Sequence, residues 1–254
     1  MTTTYSAPGL LVVDIAGRTD NAQDVVIQPD GSILIAGFSD YGNALDDGRD
    51  FSLTRLNPDG SVDTGYGHAG RQVIHKQIPF EKDYNLQVQA DGAVVTTHAG
   101  HDDTAIVQRW GPDGKADAAF NSNAEASLSS GFGTKSIVQA NADGSVLVSA
   151  VQGNLLNVAQ LNADGTRDTS FGTDGLLTLQ APAPFIFLES IFKMADGSLL
   201  VHGSPGVQNS VLKYTADGEL DTQFGGDGSV PLPIFTTLRG DMVVQDDGKL
   251  LVAG

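Results

Sequence analysis

The chain has 254 residues, with 14 Lys and Arg against 31 Asp and Glu, a formal net charge of −17, and no cysteine. A chain of this length can bury a sizeable core, and its hydrophobic fraction of 40% is too high for a disordered acidic tail. The negative charge disfavours nucleic acids and anionic membranes as partners. No apolar run is long enough to span a bilayer, and the lack of cysteine excludes disulfide scaffolds, thiol nucleophiles and thiolate metal sites.

The acidic residues are nearly all aspartate, with 27 Asp against 4 Glu, and glycine makes up 31 of the 254 residues. Aspartate favours turns, whereas glutamate is the better helix former. The composition therefore indicates strands joined by many tight turns.

Two interleaved series of Asp-Gly repeats run along the chain with a common period of about 52 residues. The first series is QPDGSILIAG at 28–37, with equivalents at 89–98, 141–150, 194–203 and 245–254. The second is RLNPDGSVDTGYG from Arg55, with equivalents that start at Arg109, Gln160 and Lys213.

In chain order, a strand at 9–15 is followed by four repeat units. Each Asp-Gly pair lies between apolar runs, which predicts a hairpin with a type I′ turn and positive φ at both central residues. A unit therefore has strand A, an Asp-Gly turn, strand B, a variable loop, strand C, a second Asp-Gly turn and strand D. In the third unit the predicted strands are 135–140, 145–150, 155–161 and 175–180.

Four antiparallel strands in about 52 residues are typical of one propeller blade. We therefore predict an all-β fold, a β-propeller of about five four-stranded blades in a single domain over 1–254. The predicted blades are 22–75, 84–129, 135–180 and 188–232, and a partial closing blade at 240–254 combines with strand 9–15.

The closing blade lacks one strand in this scheme, which has 19 strands. We expect the chain to be a fragment of a longer propeller, with a three-stranded closing blade or strand donation by a second copy as alternatives. An open blade edge predicts self-association.

The connection between strands C and D has its own signature. An aspartate four residues after the turn Asp precedes an aromatic residue by three positions. The pairs are Asp63 and Tyr66, Asp117 and Phe120, Asp168 and Phe171, and Asp221 and Phe224. We expect the aspartate to cap a short turn and the aromatic ring to wedge between neighbouring blades.

These motifs resemble the delta-60 repeat, a bacterial β-propeller repeat, over nearly the whole chain. The resemblance implies a propeller, often within large secreted or cell-surface bacterial proteins, and implies no established activity or catalytic residues. The second unit departs from the pattern, because no glycine follows Phe120 and NSNAEAS replaces the Gly-rich lead into strand D. We expect that blade edge to be the least regular.

The Asp-Gly turns lie on one rim of such a fold and the variable B–C and D–A connections on the other, where we expect the functional face. Four carboxylates, of Asp40, Asp46, Asp47 and Asp50, fall in the B–C loop at 38–50. They suit a calcium ion, which takes six to eight oxygen ligands, and equally a solvated polar loop.

A second cluster in the next B–C loop contains His98, His101, Asp102 and Asp103. Histidine and aspartate bind transition metals or perform acid–base chemistry, and the alternative is simple surface placement. If neighbouring blades bring the two loops together, one metal site combines them.

Two further features are weaker. The pairs Asp168/Asp174 and Asp221/Asp227 suit either calcium or turn chemistry, and turn chemistry is favoured. The D–A loops place Phe185, Phe187 and Phe235 near the variable face, where they pack between blades or form an exposed aromatic rim for a sugar or peptide.

We predict a non-catalytic binding or adhesion module of a secreted or surface bacterial protein, assisted by calcium, with a carbohydrate, peptide or protein ligand. The alternatives are a metal-centred, lactonase-like propeller hydrolase and a purely structural spacer. Nucleophilic catalysis has poor support because the sequence has neither a GxSxG elbow nor a phosphate-binding loop.

Overall fold

A computed structural model describes residues 2–7, 10–14, 20–40, 49–78, 84–89, 91–99, 105–128, 134–141, 143–232, 241–245 and 248–253. The strands are β1 (Thr2–Ala7), β2 (Leu10–Asp14), β3 (Asp20–Ile27), β4 (Ile33–Asp40), β5 (Arg49–Leu56), β6 (Arg71–Ile78), β7 (Tyr84–Val88), β8 (Val94–Ala99), β9 (Ala105–Trp110), β10 (Thr134–Ala140), β11 (Val146–Gln152), β12 (Leu155–Leu161), β13 (Leu176–Gln180), β14 (Phe185–Lys193), β15 (Leu199–Pro205), β16 (Ser210–Tyr214), β17 (Ser229–Pro231), β18 (Asp241–Val244) and β19 (Leu250–Ala253). The helix α1 is Ala118–Ser127.

Most strands form sheets in chain order. The first sheet is β3–β4–β5–β6, the second β7–β8–β9, the third β10–β11–β12–β13 and the fourth β14–β15–β16–β17. The first hairpin is β1–β2 and the last hairpin is β18–β19. Neighbouring strands of the first, third and fourth sheets are antiparallel, so the predicted four-stranded repeat is confirmed.

The predicted strands of the third unit agree with β10–β13 to within two residues at each end. The strand predicted at 9–15 contains β2, but an unpredicted strand precedes it. Strand β1 pairs with β2 antiparallel, with Thr3 opposite Val13, and its threonines and tyrosine favour extended backbone.

The second repeat departs from the others, as expected. Helix α1 occupies part of the segment predicted to lead into strand D. Asp117 directly precedes the helix at the N-cap position. The alanines within α1 favour helical backbone. The Gly-rich turn that starts strand D in other repeats has no counterpart in this segment.

The Asp-Gly turns differ in type from the prediction. In the turn after β3, the Gly31 N–H donates to the Gln28 carbonyl and the Gln28 N–H to the Ser32 carbonyl. Gly31 has φ of +83°, and among described non-glycine residues only Ala69 and Asp174 have positive φ. The geometry is a type I turn followed by a glycine bulge, so the predicted type I′ turn is wrong. Pro29, whose ring fixes φ near −65°, cannot enter a type I′ turn.

The aspartate side chains complete these turns. The Asp30 carboxylate accepts the Ser32 backbone N–H at 2.9 Å and the Ser32 hydroxyl at 2.6 Å. The same backbone hydrogen bond, at 2.9 to 3.0 Å, is made by Asp59, Asp91, Asp113, Asp143, Asp164 and Asp196. Each carboxylate therefore fixes its turn through an Asx-type interaction.

Two aromatic residues of the C–D links, Tyr66 and Phe120, lie under the next Asp-Gly turn. Tyr66 is fully buried, and a Cβ on Gly114 would lie 3.0 Å from its ring. The Gly67 N–H donates to the Asp113 carbonyl at 2.9 Å, which joins the same two segments. Phe120 is also buried, and a Cβ on Gly165 would overlap its carbonyl oxygen. The predicted packing of these rings between successive repeats is confirmed at these two links.

The chain divides into two compact units. One comprises Met1–Lys82, Val88–Val95 and Arg109–Asp117, and the other Asp83–Gln87, Thr96–Gln108 and Ala118–Gly254. In the second unit the third and fourth sheets share one apolar core. Its members include Leu147, Leu156, Leu179, Ile191, Leu199 and Tyr214. The single domain predicted over 1–254 stays a prediction.

Two glycine substitutions separate backbone strain from close packing. Gly165 and Gly153 have φ of +84° and +66°, but a Cβ on Gly153 meets nothing within 4 Å. We expect Gly153→Ala to lower the free energy of unfolding by about 1 kcal/mol, from left-handed strain alone. Gly165→Ala should cost about 3 kcal/mol or more, because it adds the overlap with Phe120. Urea unfolding of both variants measures the difference, and equal losses would contradict the turn-on-aromatic contact.

Candidate functional site

Most aspartate carboxylates of the Asp-Gly turns are engaged in hydrogen bonds that hold the turns together. The Thr166 hydroxyl, followed by its backbone N–H, lowers the pKa of Asp164, and the pKa of Asp30 is lowered in the same way by Ser32. These carboxylates are ionised at neutral pH and satisfied by their own turns. This rim therefore has the chemistry of a scaffold.

A residue eight positions before each link aspartate extends this scaffold. Arg55 forms an ion pair with Asp63 at 2.6 Å and lies 4.8 Å from the centroid of the Tyr66 ring. It also donates to the Pro112 carbonyl at 2.6 Å. Arg55 thus fixes the link aspartate, the aromatic ring and the following turn together.

The equivalent residues in the other repeats also lie near their link aspartates, although the short ion pair of Arg109, at 2.7 Å, is with Asp91. Arg109 lies 3.9 Å from Asp117 and Lys213 lies 3.1 Å from Asp221. In the third repeat the Gln160 amide donates to Asp168 at 3.0 Å. The spacing of these motifs did not predict a role for their first residue. Its recurrence as Arg, Arg, Gln and Lys was the available signal.

The pairs Asp168/Asp174 and Asp221/Asp227 contribute to turns. Asp168 and Asp221 accept the backbone N–H groups of Ser170 and Gln223 at 3.0 and 3.1 Å. Asp227 accepts the Ser229 N–H at 3.0 Å, while Asp174 adopts φ of +51°. The carboxylates of Asp168, Asp221 and Asp227 therefore accept turn hydrogen bonds, and calcium at these pairs stays untested.

On the other rim, the B–C and D–A connections of the third and fourth repeats lie side by side. The Ala181 N–H donates to the Asn154 carbonyl at 2.9 Å, and the Gly206 N–H donates to the Pro184 carbonyl at 2.8 Å. The Leu232 N–H donates to the Asn209 carbonyl at 2.9 Å. These bonds join residues 152–154, 180–187, 204–209 and 231–232 into one surface, which we name the loop surface.

The loop surface has no ionisable side chain, although the chain as a whole has a net charge of −17. Its exposed apolar groups include Val207 at 83%, Phe187 at 44% and Ile186 at 42% relative exposure. The exposed amide side chains beside them are Gln152, Asn154, Gln180 and Gln208. Apolar and aromatic groups with a few amides are the usual composition of a small-ligand site.

The three phenylalanines predicted near this face have different placements. Phe185 is buried in the core shared by the third and fourth sheets, so it does not belong to an exposed aromatic rim. Phe187 is on the loop surface, and Phe235 lies outside the described residues.

The predicted carboxylate cluster falls partly outside the described residues, which exclude Asp46 and Asp47. Asp40 is the last residue of β4 and is opposite Arg49 in the ladder, while Asp50 is opposite Ser39. Asp40 and Asp50 are therefore not cross-strand partners of each other, and the four-carboxylate site stays a prediction.

The histidine cluster has a similar outcome. His98 belongs to strand β8 rather than to a loop, and His101, Asp102 and Asp103 lie outside the described residues. Within the described ranges, no group of three His, Asp or Glu side chains is arranged to hold a metal ion. The metal site with these residues stays a prediction.

Comparison with known proteins bears on the fold. Residues 28–66, 149–171 and 195–224 match a family model described as "Domain of unknown function (DUF5122) beta-propeller". The chain has a β-propeller repeat fold. The matched segments contain five of the Asp-Gly turns and the C–D links of the first, third and fourth repeats, and the name delta-60 repeat stays a resemblance. No curated protein matches the chain.

Solved structures also resemble this propeller repeat chain. An endo-arabinase from Bacteroides thetaiotaomicron is 12% identical, with 93% of this chain and 89% of that chain covered and a TM-score of 0.46. A virginiamycin B lyase from Staphylococcus aureus is 10% identical, with 92% and 87% covered and a TM-score of 0.43. In the part of the chain that the structure describes, no helix is long and apolar enough to cross a membrane.

The turn carboxylates predict a pH dependence. Because folding lowers the pKa of Asp164, its stabilising effect is complete above its unfolded pKa and is lost as the pH falls through its folded pKa. Asp164→Asn should therefore unfold at lower urea than the wild type at neutral pH, and this difference should disappear as the pH falls through the folded pKa of Asp164.

Asp217→Asn provides a control with the same loss of charge. In the equivalent turn the Glu219 N–H donates to the Thr215 hydroxyl. A pH-dependent difference of the same size in both variants would mean that the effect comes from net charge, which would contradict the role of the Asx turn.

Proposed function

We propose that this chain is a non-catalytic binding module whose ligand, an uncharged carbohydrate or peptide, lies on the loop surface. We further propose that it acts within a secreted or cell-surface bacterial protein, as the resemblance to the delta-60 repeat suggests. The observation that supports a binding role best is the neutral loop surface on an otherwise acidic chain.

The contrast between the two rims supports this assignment. Seven Asp-Gly turns repeat the same hydrogen bond to the aspartate carboxylate, and in the turn at Asp217 the Thr215 hydroxyl is the acceptor instead, so these polar groups are already satisfied by the fold. The loop surface varies in sequence between repeats and presents amide groups beside apolar ones. Variable loops on a rigid scaffold are the usual location of binding sites.

The chemistry of the loop surface favours a neutral ligand. A carbohydrate or an extended peptide presents hydroxyl or amide groups, which the side-chain amides of Gln152 and Asn154 can donate to and accept from. The side-chain oxygen of Gln208 can accept as well, while its Nε2 donates to the Asn209 and Leu232 carbonyls at 3.2 and 3.1 Å. The Phe187 ring offers a flat apolar surface beside them. A phosphorylated or carboxylated ligand would find no cationic side chain in residues 152–154, 180–187, 204–209 and 231–232.

The supporting scaffold is well packed. Leu147, Leu156, Leu179 and Leu199 are fully buried in the core beneath the loop surface. The backbone hydrogen bonds from Ala181 to Asn154 and from Gly206 to Pro184 hold neighbouring loops to each other. Such an arrangement limits the ordering that a ligand must impose when it binds.

Screening of neutral glycan and peptide arrays followed by calorimetry tests this proposal. We expect Phe187→Ala and Gln208→Ala each to weaken binding of the selected ligand by about tenfold, the loss of one good contact. Glu219→Ala, an exposed position on the Asp-Gly rim, is the matched control and should bind normally. Unchanged binding in both loop variants, or equal loss in the control, would contradict the loop surface as the site.

Calcium remains a proposed ligand of the loop at 38–50. Titration calorimetry with calcium and with zinc should give heat for the wild type that Asp46→Asn combined with Asp47→Asn removes, since both lose carboxylate oxygens that a hard cation prefers. Asp217→Asn, in an Asp-Gly turn, should leave the heat unchanged. Titrations of the wild type without heat would exclude a cation from this proposal.

A further inference from the structure

The Asp-Gly pairs of this chain are also places where the backbone can rearrange chemically. The glycine nitrogen can attack the side-chain carboxyl carbon of the aspartate, because a glycine has no Cβ to hinder the approach. The carboxyl hydroxyl and the amide proton leave as water, and a five-membered succinimide ring forms. Water then adds to one of the two ring carbonyls. Addition at the side-chain carbon restores aspartate, whereas addition at the main-chain carbon breaks its bond to the glycine nitrogen and leaves isoaspartate.

Most of the described Asp-Gly pairs are protected by the turn that contains them. In eight pairs the aspartate carboxylate accepts the backbone N–H two residues later, at 2.9 to 3.0 Å, and the aspartates are Asp30, Asp59, Asp91, Asp113, Asp143, Asp164, Asp196 and Asp227. The hydrogen bond fixes the carboxylate and favours its ionised form, whereas the rearrangement needs a mobile, protonated carboxyl group. The bond must therefore break before the glycine nitrogen can attack.

The Asp217–Gly218 turn has the usual backbone but different side-chain hydrogen bonds. The Gly218 N–H donates to the Thr215 carbonyl at 3.0 Å, and the Thr215 N–H donates to the Glu219 carbonyl at 2.8 Å, as in the other turns. The Glu219 N–H, however, donates to the Thr215 hydroxyl at 3.2 Å. The exposed Asp217 carboxylate accepts no hydrogen bond from the residues that the structure describes, so it can turn toward the Gly218 nitrogen.

Two residues of the sequence account for this exception. In five other turns the residue after the glycine is Ser or Thr, and its hydroxyl donates to the aspartate at 2.6 Å; these residues are Ser32, Ser61, Ser145, Thr166 and Ser198. Glu219 occupies this position in the turn at Asp217. It has no hydroxyl, and its carboxylate repels that of Asp217. Thr215 supplies the competing acceptor for the Glu219 N–H.

Asp174 is the other aspartate of a described Asp-Gly pair whose carboxylate accepts no hydrogen bond within the described ranges. Its glycine, Gly175, is buried, and a Cβ there would lie 2.8 Å from the Asp168 carbonyl oxygen. Gly218 is partly exposed, and the three atoms nearest to a Cβ there belong to leucine side chains, the closest at 2.9 Å. The Gly218 nitrogen can therefore lose its proton to solvent, whereas backbone packing and burial hinder the same step at Gly175.

We propose that, among the described Asp-Gly pairs, Asp217 is the residue at which isoaspartate forms in the folded protein. Its carboxyl carbon bonds to the Gly218 nitrogen with loss of one water, and hydrolysis of the ring takes one water up again and leaves Cβ in the backbone. This turn lies on Leu177 and Leu179 of the third sheet, which contribute to the core shared by the third and fourth sheets. The longer backbone therefore disturbs the contact between these two repeats, and the loop surface takes no part in the reaction.

Storage of the full chain at neutral pH and physiological temperature, followed by tryptic peptide mapping, tests the proposal. Isoaspartate and aspartate have the same mass, so chromatography separates the two forms and electron-transfer fragmentation locates the altered residue. Isoaspartate should accumulate about tenfold faster at Asp217 than at Asp164, a ratio that corresponds to one hydrogen bond to a charged group. Equal rates at the two residues, or a faster rate at Asp164, would overturn the proposal.

An exchange of turn residues between two turns of the fourth repeat provides matched variants. Thr215→Met combined with Glu219→Ser copies Met194 and Ser198, which flank the protected Asp196. This variant should form isoaspartate about tenfold more slowly in its altered turn than the wild type does. The reverse exchange, Met194→Thr with Ser198→Glu, should raise the rate at Asp196 by the same factor. Unchanged rates in both variants would contradict protection by the carboxylate hydrogen bond.

The chain unfolded in urea separates the effect of the turn from that of the local sequence. Asp164 and Asp217 both lie in an Ala-Asp-Gly sequence, so their rates should become similar once the turns are lost. A preference for Asp217 that persists in urea would mean that the neighbouring residues, and not the hydrogen bond, decide the site, which would also overturn the proposal. None of these results depends on the ligand proposed for the loop surface.

Discussion

The fold depends on one local hydrogen bond, from a backbone N–H to the carboxylate of the aspartate two residues earlier. It recurs in the turns of both repeat series and again in the C–D links at Asp63, Asp168 and Asp221. The aspartate sets the turn and the following glycine accepts the positive φ that other residues avoid. Because the glycine has no side chain, the turn can also lie directly on the aromatic residue of the preceding link.

The large negative charge of the chain is a consequence of this construction. Asp30, Asp59, Asp113, Asp143, Asp164 and Asp196 are held ionised by hydrogen bonds that lower their pKa. Cationic partners at the start of the second motif, such as Arg55 and Lys213, offset part of it. Much of this charge belongs to the Asp-Gly turns, and the loop surface of the third and fourth repeats has no ionisable side chain.

How far the sequence predicts the structure depends on the range of the interaction. Strand positions follow from local alternation and Asp-Gly pairs, so β10–β13 agree with prediction. The predicted turn type was wrong because it rested on the Asp30-Gly31 pair alone. The flanking residues Pro29 and Ser32 decide between a type I′ turn and a type I turn with a glycine bulge. The loop surface depends on contacts such as that of Pro184 with Gly206, which are distant in sequence and leave no local pattern. The acidic loops were predicted as a site because of their charge alone.

Helix α1 shows which part of a repeat can change. Phe120 lies in a helix, yet it is buried and still contacts the turn at Gly165. The coupling between successive repeats therefore does not require a strand behind the aromatic residue. Insertions and rearrangements in this segment can accumulate during evolution without interrupting the array, whereas a change at the glycine of the following turn affects two repeats at once.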